Sequence, residues 1–286
     1  MKTKDEDFVQ HLFVASTHAY LMFLTSNGKC HWLKVYRIPE GERTARGRPL
    51  VNVLKIDPED QICAIVAVTE FSQDQYLFTA TRKGIVKKSV LSAYGNIRRD
   101  GIIALKIQEE DDLIGAAIIQ EGQDIVLATR RGRTMRFAEK EVRKMGRVST
   151  GVKGISLKND DEVVSMVVVS PGGGQLLTLC ENGYGKRTNE SEYPSKHRGG
   201  VGVIDIKTSV RNGSTVACKE VFEDDEVMIV TQKGVLIRTA VNGISTVGRN
   251  TQGVRVINLD EGDRVIDMTP LPNQEEEITV DKISSL

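Results

Sequence analysis

Short apolar runs alternate with polar turns along the whole chain, and each run has the length of a strand. The runs recur as a set. A first, β-branched run occupies residues 12–15, 62–68, 113–119, 163–169 and 216–221, and a second follows at 21–24, 77–80, 125–128, 176–179 and 227–230. Both are apolar almost throughout, which predicts strands covered on both faces. A turn reading TSNG, TRKG, TRRG, CENG or TQKG ends the second run, placing Gly28, Gly84, Gly132, Gly183 and Gly234 at intervals of 56, 48, 51 and 51 residues. It reverses the chain into a third strand with a basic residue near its start, except that Trp32 stands there in the first repeat. A second turn ends 17 or 19 residues later at Gly47, Gly101, Gly151, Gly200 and Gly253, each preceded by arginine within six residues. Last strands are predicted within 50–56, 102–107, 155–157, 201–206 and 254–259.

Four strands per repeat predict about twenty strands and an all-β fold, with 140–144 as the one candidate for a turn of helix. Units of this size cannot bury their apolar faces alone, so they must stack into a propeller-like wheel. The repeats run from about 11–56, 61–107, 112–157, 162–208 and 213–259, and a partial sixth at 264–272 is stopped by Pro270 and Pro272. The polar segments 1–7 and 273–286 hold no hairpin, so a closed six-bladed wheel would need a hairpin from upstream.

Composition adds little, because 39 Lys and Arg balance 39 Asp and Glu among 286 residues. Distribution adds more. Acidic clusters at 57–60, 109–112, 160–162, 220–226 and 260–263 read as one turn per repeat, before its first strand, while nine basic residues fall within 130–153. That segregation predicts a ring with one acidic and one basic rim. Cys30, Cys63, Cys180 and Cys218 form no CxxC pair and read as reduced core or turn residues. His11, His18, His31 and His197 lack metal-binding spacing, so no metal or cofactor is expected. The glycine-rich stretch 171–174 lacks the Lys-Ser/Thr of a phosphate loop and reads as a hairpin turn. Trp32 reads as a blade-packing anchor. No signal peptide or membrane span is apparent, and a cytoplasmic, nucleoid-associated location is expected.

Four stretches, ARGRPLVNVL (45–54), ENGYGKRT (181–188), EYPSKHRGGVGV (192–203) and VGRNTQGV (247–254), resemble the C-terminal domain of the DNA gyrase A subunit. The related domain of topoisomerase IV is a more distant match, and the likeness spans about 5–272. It implies a β-pinwheel: a propeller-shaped ring on a six-blade plan, with five full repeats and a partial sixth here, whose blades exchange strands. Its implied role is to bend or wrap double-stranded DNA for ATP-dependent strand passage and negative supercoiling. The implied partners are the breakage-reunion part of gyrase A and the gyrase B subunit, with no membrane or small-molecule substrate and no catalysis in this chain. Gyrase A subunits also carry a Gln-Arg-Arg-Gly-Gly-Lys-Gly box just before the stretch matching 5–14. It does not occur in these 286 residues, and its nearest equivalents are 43–48 and 198–200.

Arg and Lys beside exposed glycine amides suit phosphate contact without base readout. The expected contacts are Arg43, Arg46, Arg48, Lys87, Lys88, Arg98, Arg99, Arg130, Arg131, Arg133, Arg136, Arg147, Lys153, Lys186, Arg187, Lys196, Arg198, Arg238, Arg249 and Arg255. The third repeat is the most basic and the fifth the least. Two other readings remain open: a topoisomerase IV-like domain that bends DNA without chiral wrapping, and a scaffold that binds protein through its rims.

Overall fold

The computed structural model describes residues 15–41, 48–57, 60–170 and 172–271. The second and third runs of each repeat form the hairpin at the centre of a blade, because the glycine between them adopts the left-handed conformation the turn requires. These hairpins are Tyr20–Thr25 with Lys29–Lys34, Tyr76–Thr81 with Ile85–Val90, Asp124–Thr129 with Arg133–Ala138, Gln175–Cys180 with Tyr184–Asn189, and Glu226–Thr231 with Leu236–Ala240.

The other strands of each blade come from the next repeat. Ile62–Val68 pairs with Tyr20–Thr25 and Ile102–Ile103 with Lys29–Lys34, giving blade one four antiparallel strands. Leu113–Ile119 and Val152–Lys153 complete blade two in the same way. Val163–Val169 and Val203–Ile204 complete blade three, and Thr215–Val221 and Val254–Arg255 complete blade four. The partial sixth repeat is therefore no separate blade: its strand, Val265–Leu271, is the third strand of blade five, and it runs through Pro270.

Backbone hydrogen bonds fix the exchange. The carbonyl of Gly28 accepts from the amides of Ala104 (2.8 Å) and Leu105 (3.1 Å), and Gly84, Gly132 and Gly183 receive Gly154–Ile155, Asp205–Ile206 and Val256–Ile257 likewise. Two residues of pairing precede this junction, so the outer strands are far shorter than the apolar runs suggest. Residues 50–56 form no strand. Leu50–Asn52 is a 3-10 turn, and Leu54 packs against Leu21, Phe23 and Leu33. Elsewhere the last strand pairs with the third strand of the preceding repeat, and no such strand lies before Tyr20 among the described residues. The expected run 12–15 lies outside them, apart from Ala15.

The inner strands of all five blades line a common channel of about 750 Å³, with Ala64, Ala116, Val167, Val216 and Ile266 among its walls. The short outer strands consequently sit at the far edge of each sheet. Large apolar clusters join neighbouring blades. One spans Met22, Trp32, Leu77 and Tyr94, and another spans Phe78, Ile125, Phe137 and Val142. Each third strand ends in a 3-10 turn (Val35–Arg37, Leu91–Tyr94, Glu139–Glu141, Glu190–Glu192 and Val241–Gly243), whereas sequence pointed to only one. Gly172–Gly174 connects strands of different blades rather than a hairpin.

A side chain at Gly84 would meet Ile155 Cγ2 at 2.7 Å, on a backbone whose φ of +80° already disfavours it. Gly122 has φ +90° with nothing within 4 Å. Both Gly84→Ala and Gly122→Ala should lose about 1–2 kcal/mol from backbone strain. Gly84→Ala should lose more, read as a lower urea midpoint, because it also displaces the exchanged segment. Equal losses would show that this junction yields freely.

Candidate nucleic-acid interface

The predicted cations fall into three places. The first is the interior. Lys87, Lys88, Lys186 and Arg187 are buried, so their heads are not available to a phosphate on the surface. They hold the following repeat in place instead. Lys87 Nζ donates to the carbonyls of Ala104 and Arg147, and Lys186 Nζ donates to Gly248 O (3.1 Å) beside Asp205 (3.3 Å). Lys88 pairs with Glu139 in the next repeat's 3-10 turn. Arg187 reaches Ile244 O (2.6 Å) and Glu223 (2.5 Å). Arg136, four-fifths covered, spans Asp124 (2.7 Å) and Glu190 O (2.9 Å). Trp32 takes this position in blade one and packs on Leu91 and Tyr94, an anchor as expected. Arg238 occupies it in blade five and pairs with Glu226 of its own hairpin.

The second place is the end of the blades that carries the hairpin turns. Here the acidic turns meet basic ones. The carboxylates of Asp111, Asp161 and Asp263 accept the turn amides of Lys83 (2.8 Å), Arg131 (2.9 Å) and Lys233 (3.1 Å). Arg82 pairs with Asp112 (2.9 Å), Arg130 with Glu162 (2.8 Å) and Lys29 with Asp57 (2.5 Å). Acid and base are thus interleaved at this end instead of occupying opposite rims. The cluster 220–226 is not the fifth repeat's version of this turn. It follows the inner strand Thr215–Val221, and the true counterpart is 207–214.

The third place is the outer edge. Arg98, Arg99, Lys153, Lys196 and Arg255 are exposed, and Arg147, Arg198 and Arg249 are partly exposed. Among the described residues none of these eight pairs with a carboxylate. Three of the arginines repeat one contact: Arg147, Arg198 and Arg249 each donate to the second residue of the previous outer strand, at Ile103 O (2.6 Å), Lys153 O (2.9 Å) and Ile204 O (3.1 Å). Arg133 reaches Val201 O and Gly202 O, both at 2.8 Å. One face of each fork is held by backbone while the charge stays uncompensated. Gly202, with φ +66°, is the structural counterpart of Gly101, Gly151 and Gly253, so the fourth repeat's turn ends two residues beyond Gly200. Arg48 is exposed in the first repeat, and Arg43 and Arg46 lie outside the described residues.

A family profile described as DNA gyrase C-terminal domain, beta-propeller, matches residues 19–69, 75–120, 123–170, 175–218 and 225–272. The chain belongs to that family. Each matched segment spans one hairpin and all or part of the inner strand that completes its blade. The DNA gyrase A subunit of Haemophilus influenzae is 42% identical over 99% of this chain, and that of Escherichia coli K12 is 42% identical over 99%. The chain spans about a third of these curated relatives, 35% and 32% respectively. A solved DNA gyrase A C-terminal domain superposes with TM-score 0.80 at 26% identity, covering 90% of this chain and 84% of that one. The C-terminal domain of DNA topoisomerase IV gives TM-score 0.83 at 21% identity, covering 94% and 85%, a likeness of fold alone.

Residue type alone misplaces the buried cations of this chain, yet the sequence holds a signal for two of them, Lys87 and Lys186. Three residues after the turn glycine stand His31, Lys87, Met135, Lys186 and Ile237. A lysine that alternates with Met and Ile at one repeat position marks the interior. Cys180 and Cys218 share that interior, and burial pushes both thiols up to about 12. Among the described residues no group of His, Cys, Asp and Glu gathers as a metal site, and no helix is long and apolar enough to cross a membrane.

Burial, reinforced by the nearby Arg147 charge, pushes the Lys87 ammonium down to about 7. Its folded value lies below its ordinary 10.5, so above pH 7 the unfolded chain binds the extra proton and stability rises with pH until about 10.5. Lys87→Met removes that burden but strands two carbonyls. Its stability relative to the parent should therefore be most favourable at pH 6 and fall between pH 7 and pH 10, measured by urea denaturation at each pH. A pH-independent difference would show that Lys87 keeps its ordinary proton affinity.

Proposed function

We propose that this chain is the DNA-bending and DNA-wrapping domain of a bacterial gyrase A subunit. In this reading a duplex runs along the outer edges of successive blades. The supporting observation is the repeated arginine of the outer turn: Arg147, Arg198 and Arg249 stand at equivalent places in three repeats, each guanidinium donating to a backbone carbonyl of the previous outer strand and in no ion pair among the described residues. Arg98, Arg99, Lys153, Lys196 and Arg255 extend the row. Arg43, Arg46 and Arg48 belong to the corresponding turn of the first repeat. Lys87, Lys88, Lys186, Arg187 and Arg136 serve by shaping the turns, not by touching phosphate.

Bending a 20–30 base-pair site costs roughly 1–6 kcal/mol, and the phosphate contacts must offset it. Contacts spread over several blades do so without base readout, through release of condensed counterions. Chemistry belongs to the partners, the breakage-reunion part of gyrase A and the gyrase B subunit, while this domain presents the segment for ATP-dependent passage.

Affinity for duplex DNA should fall about 10³–10⁵-fold between 50 and 200 mM salt if six to ten phosphates are neutralised. Reversal of Arg147, Lys153 and Arg198 to Glu should abolish most of it and flatten the slope. Reversal of Arg131 and Lys233 at the hairpin end, beside acidic turns, should have little effect. A salt-independent parent would favour a protein-binding scaffold. Ligation of nicked plasmid in the presence of the chain decides between wrapping and bending: a linking-number shift that grows with protein marks chiral wrapping, and tight binding without one marks a topoisomerase IV-like bend.

A further inference from the structure

The hairpin end of blade four breaks the electrostatic pattern of its neighbours. In the other blades the turn that follows the outer strand carries the carboxylates that cover the hairpin turn. In blade four that place is taken by residues 207–214, KTSVRNGS, with Lys207 and Arg211 and no acid. Glu181, in the hairpin turn beneath, is engaged by Arg130 (3.7 Å) and Arg264 (3.4 Å) from other repeats. Among the described residues neither Lys207 nor Arg211 pairs with a carboxylate.

This loop is firmly built. Asn212 is fully buried; its Oδ1 accepts from the amide (2.8 Å) and hydroxyl (2.9 Å) of Ser209, and its Nδ2 donates to Lys207 O (2.9 Å) and Gln252 O (3.1 Å). Asn182 Nδ2 donates to the carbonyls of Val210 (3.1 Å) and Arg211 (3.2 Å). The product of all this bracing is an exposed apolar tip: Val210 is 99% exposed. A buried polar network holding an apolar side chain out in water costs free energy without return in the isolated fold.

The loop is also continuous with the outer edge. Lys207 N donates to Thr251 O (2.7 Å), within the turn that carries Arg249. Two guanidiniums approach Tyr184, with Arg211 4.7 Å and Arg255 5.3 Å from its ring, and Arg255 Nη2 donates to its hydroxyl at 2.8 Å. Two like charges on one ring repel, and an anion placed between them would relieve the repulsion.

We infer that the loop 207–213 is an additional DNA contact, at which the duplex passes from the outer edge of blade four onto its hairpin end, with Lys207, Arg211 and Arg255 on phosphates and Val210 against the minor groove. The partner is a phosphodiester duplex because these cations are joined to the row already described, Lys207 through Thr251 and Arg211 through the Tyr184 ring it shares with Arg255, and an apolar tip flanked by cations suits a minor groove. This inference rests on the DNA-binding reading of the outer edge.

The test uses a fluorescently labelled duplex titrated at several salt concentrations. The parent chain should bind. Lys207→Gln with Arg211→Gln should lower the log–log salt slope by about 2, the loss of two phosphate contacts. Val210→Asp, which disturbs no packing, should weaken binding several-fold at constant salt, and hydroxyl-radical footprints of both variants should shorten at one end. If the parent binds DNA but both variants match its slope, affinity and footprint, the loop is no DNA contact. If poly-glutamate binds the parent and is lost from the Lys207/Arg211 variant while the DNA slope is unchanged, the loop takes an acidic protein segment, and this inference falls while the outer-edge reading stands. A parent that fails to bind DNA overturns both.

Discussion

The carbonyl oxygen of the hairpin-turn glycine is the point through which one repeat holds the next. It accepts two amides from the following repeat's last segment, and this junction sets where the outer strand begins and how short it is. Because each outer strand is borrowed, a blade exists only when its successor has folded onto it. The inner strand makes the same demand from the other side of the sheet. Glycine is required there because its positive φ turns the hairpin, and because any side chain would strike the borrowed strand.

Electrostatics follows from that architecture. A borrowed loop must be tied to the sheet that receives it, and the third strand does so with buried cations. Lys186 has a buried carboxylate, Asp205, beside it, whereas Lys87 has only carbonyls and another cation nearby. Burial of a charge with incomplete compensation is costly, so the two lysines are not equivalent despite sharing a repeat position. The outer arginines are the reverse case: held by backbone carbonyls, partly exposed, and in no ion pair among the described residues. Cationic side chains thus play two roles, buried on the third strand and exposed on the outer turn.

Much of the fold was legible. The Thr-x-x-Gly turns, the paired apolar runs and their near-fifty-residue period announce stacked four-stranded units. Which run pairs with which could not be read from local pattern, because an inner strand such as 163–169 looks the same whether it joins its own hairpin or its predecessor's. The exchange entered only through the family resemblance. Length misled for the last strands, since the apolar residues after Ile103 serve the core beyond the glycine junction. For the candidate surface, the outer cations Arg98, Arg99, Arg147, Lys153, Lys196, Arg198, Arg249 and Arg255 lie where a repeated basic turn should lie. Lys88 and Arg187 were indistinguishable from them by residue type. The register of 207–214 was hidden because the nearest acidic cluster, 220–226, lies close enough in sequence to be mistaken for it.

Strand sharing has a mechanical consequence. Any load on the outer edges strains each joint between blades. In a propeller whose blades are self-contained, side-chain contacts alone would resist that load. Here each of the four joints between successive blades is crossed by an inner strand of seven residues and by a two-residue outer strand. Opening a joint means shearing backbone hydrogen bonds on both sides of a sheet together. The arc is consequently a stiff spring, whose curvature is set by the peptide backbone more than by the side chains that meet the load.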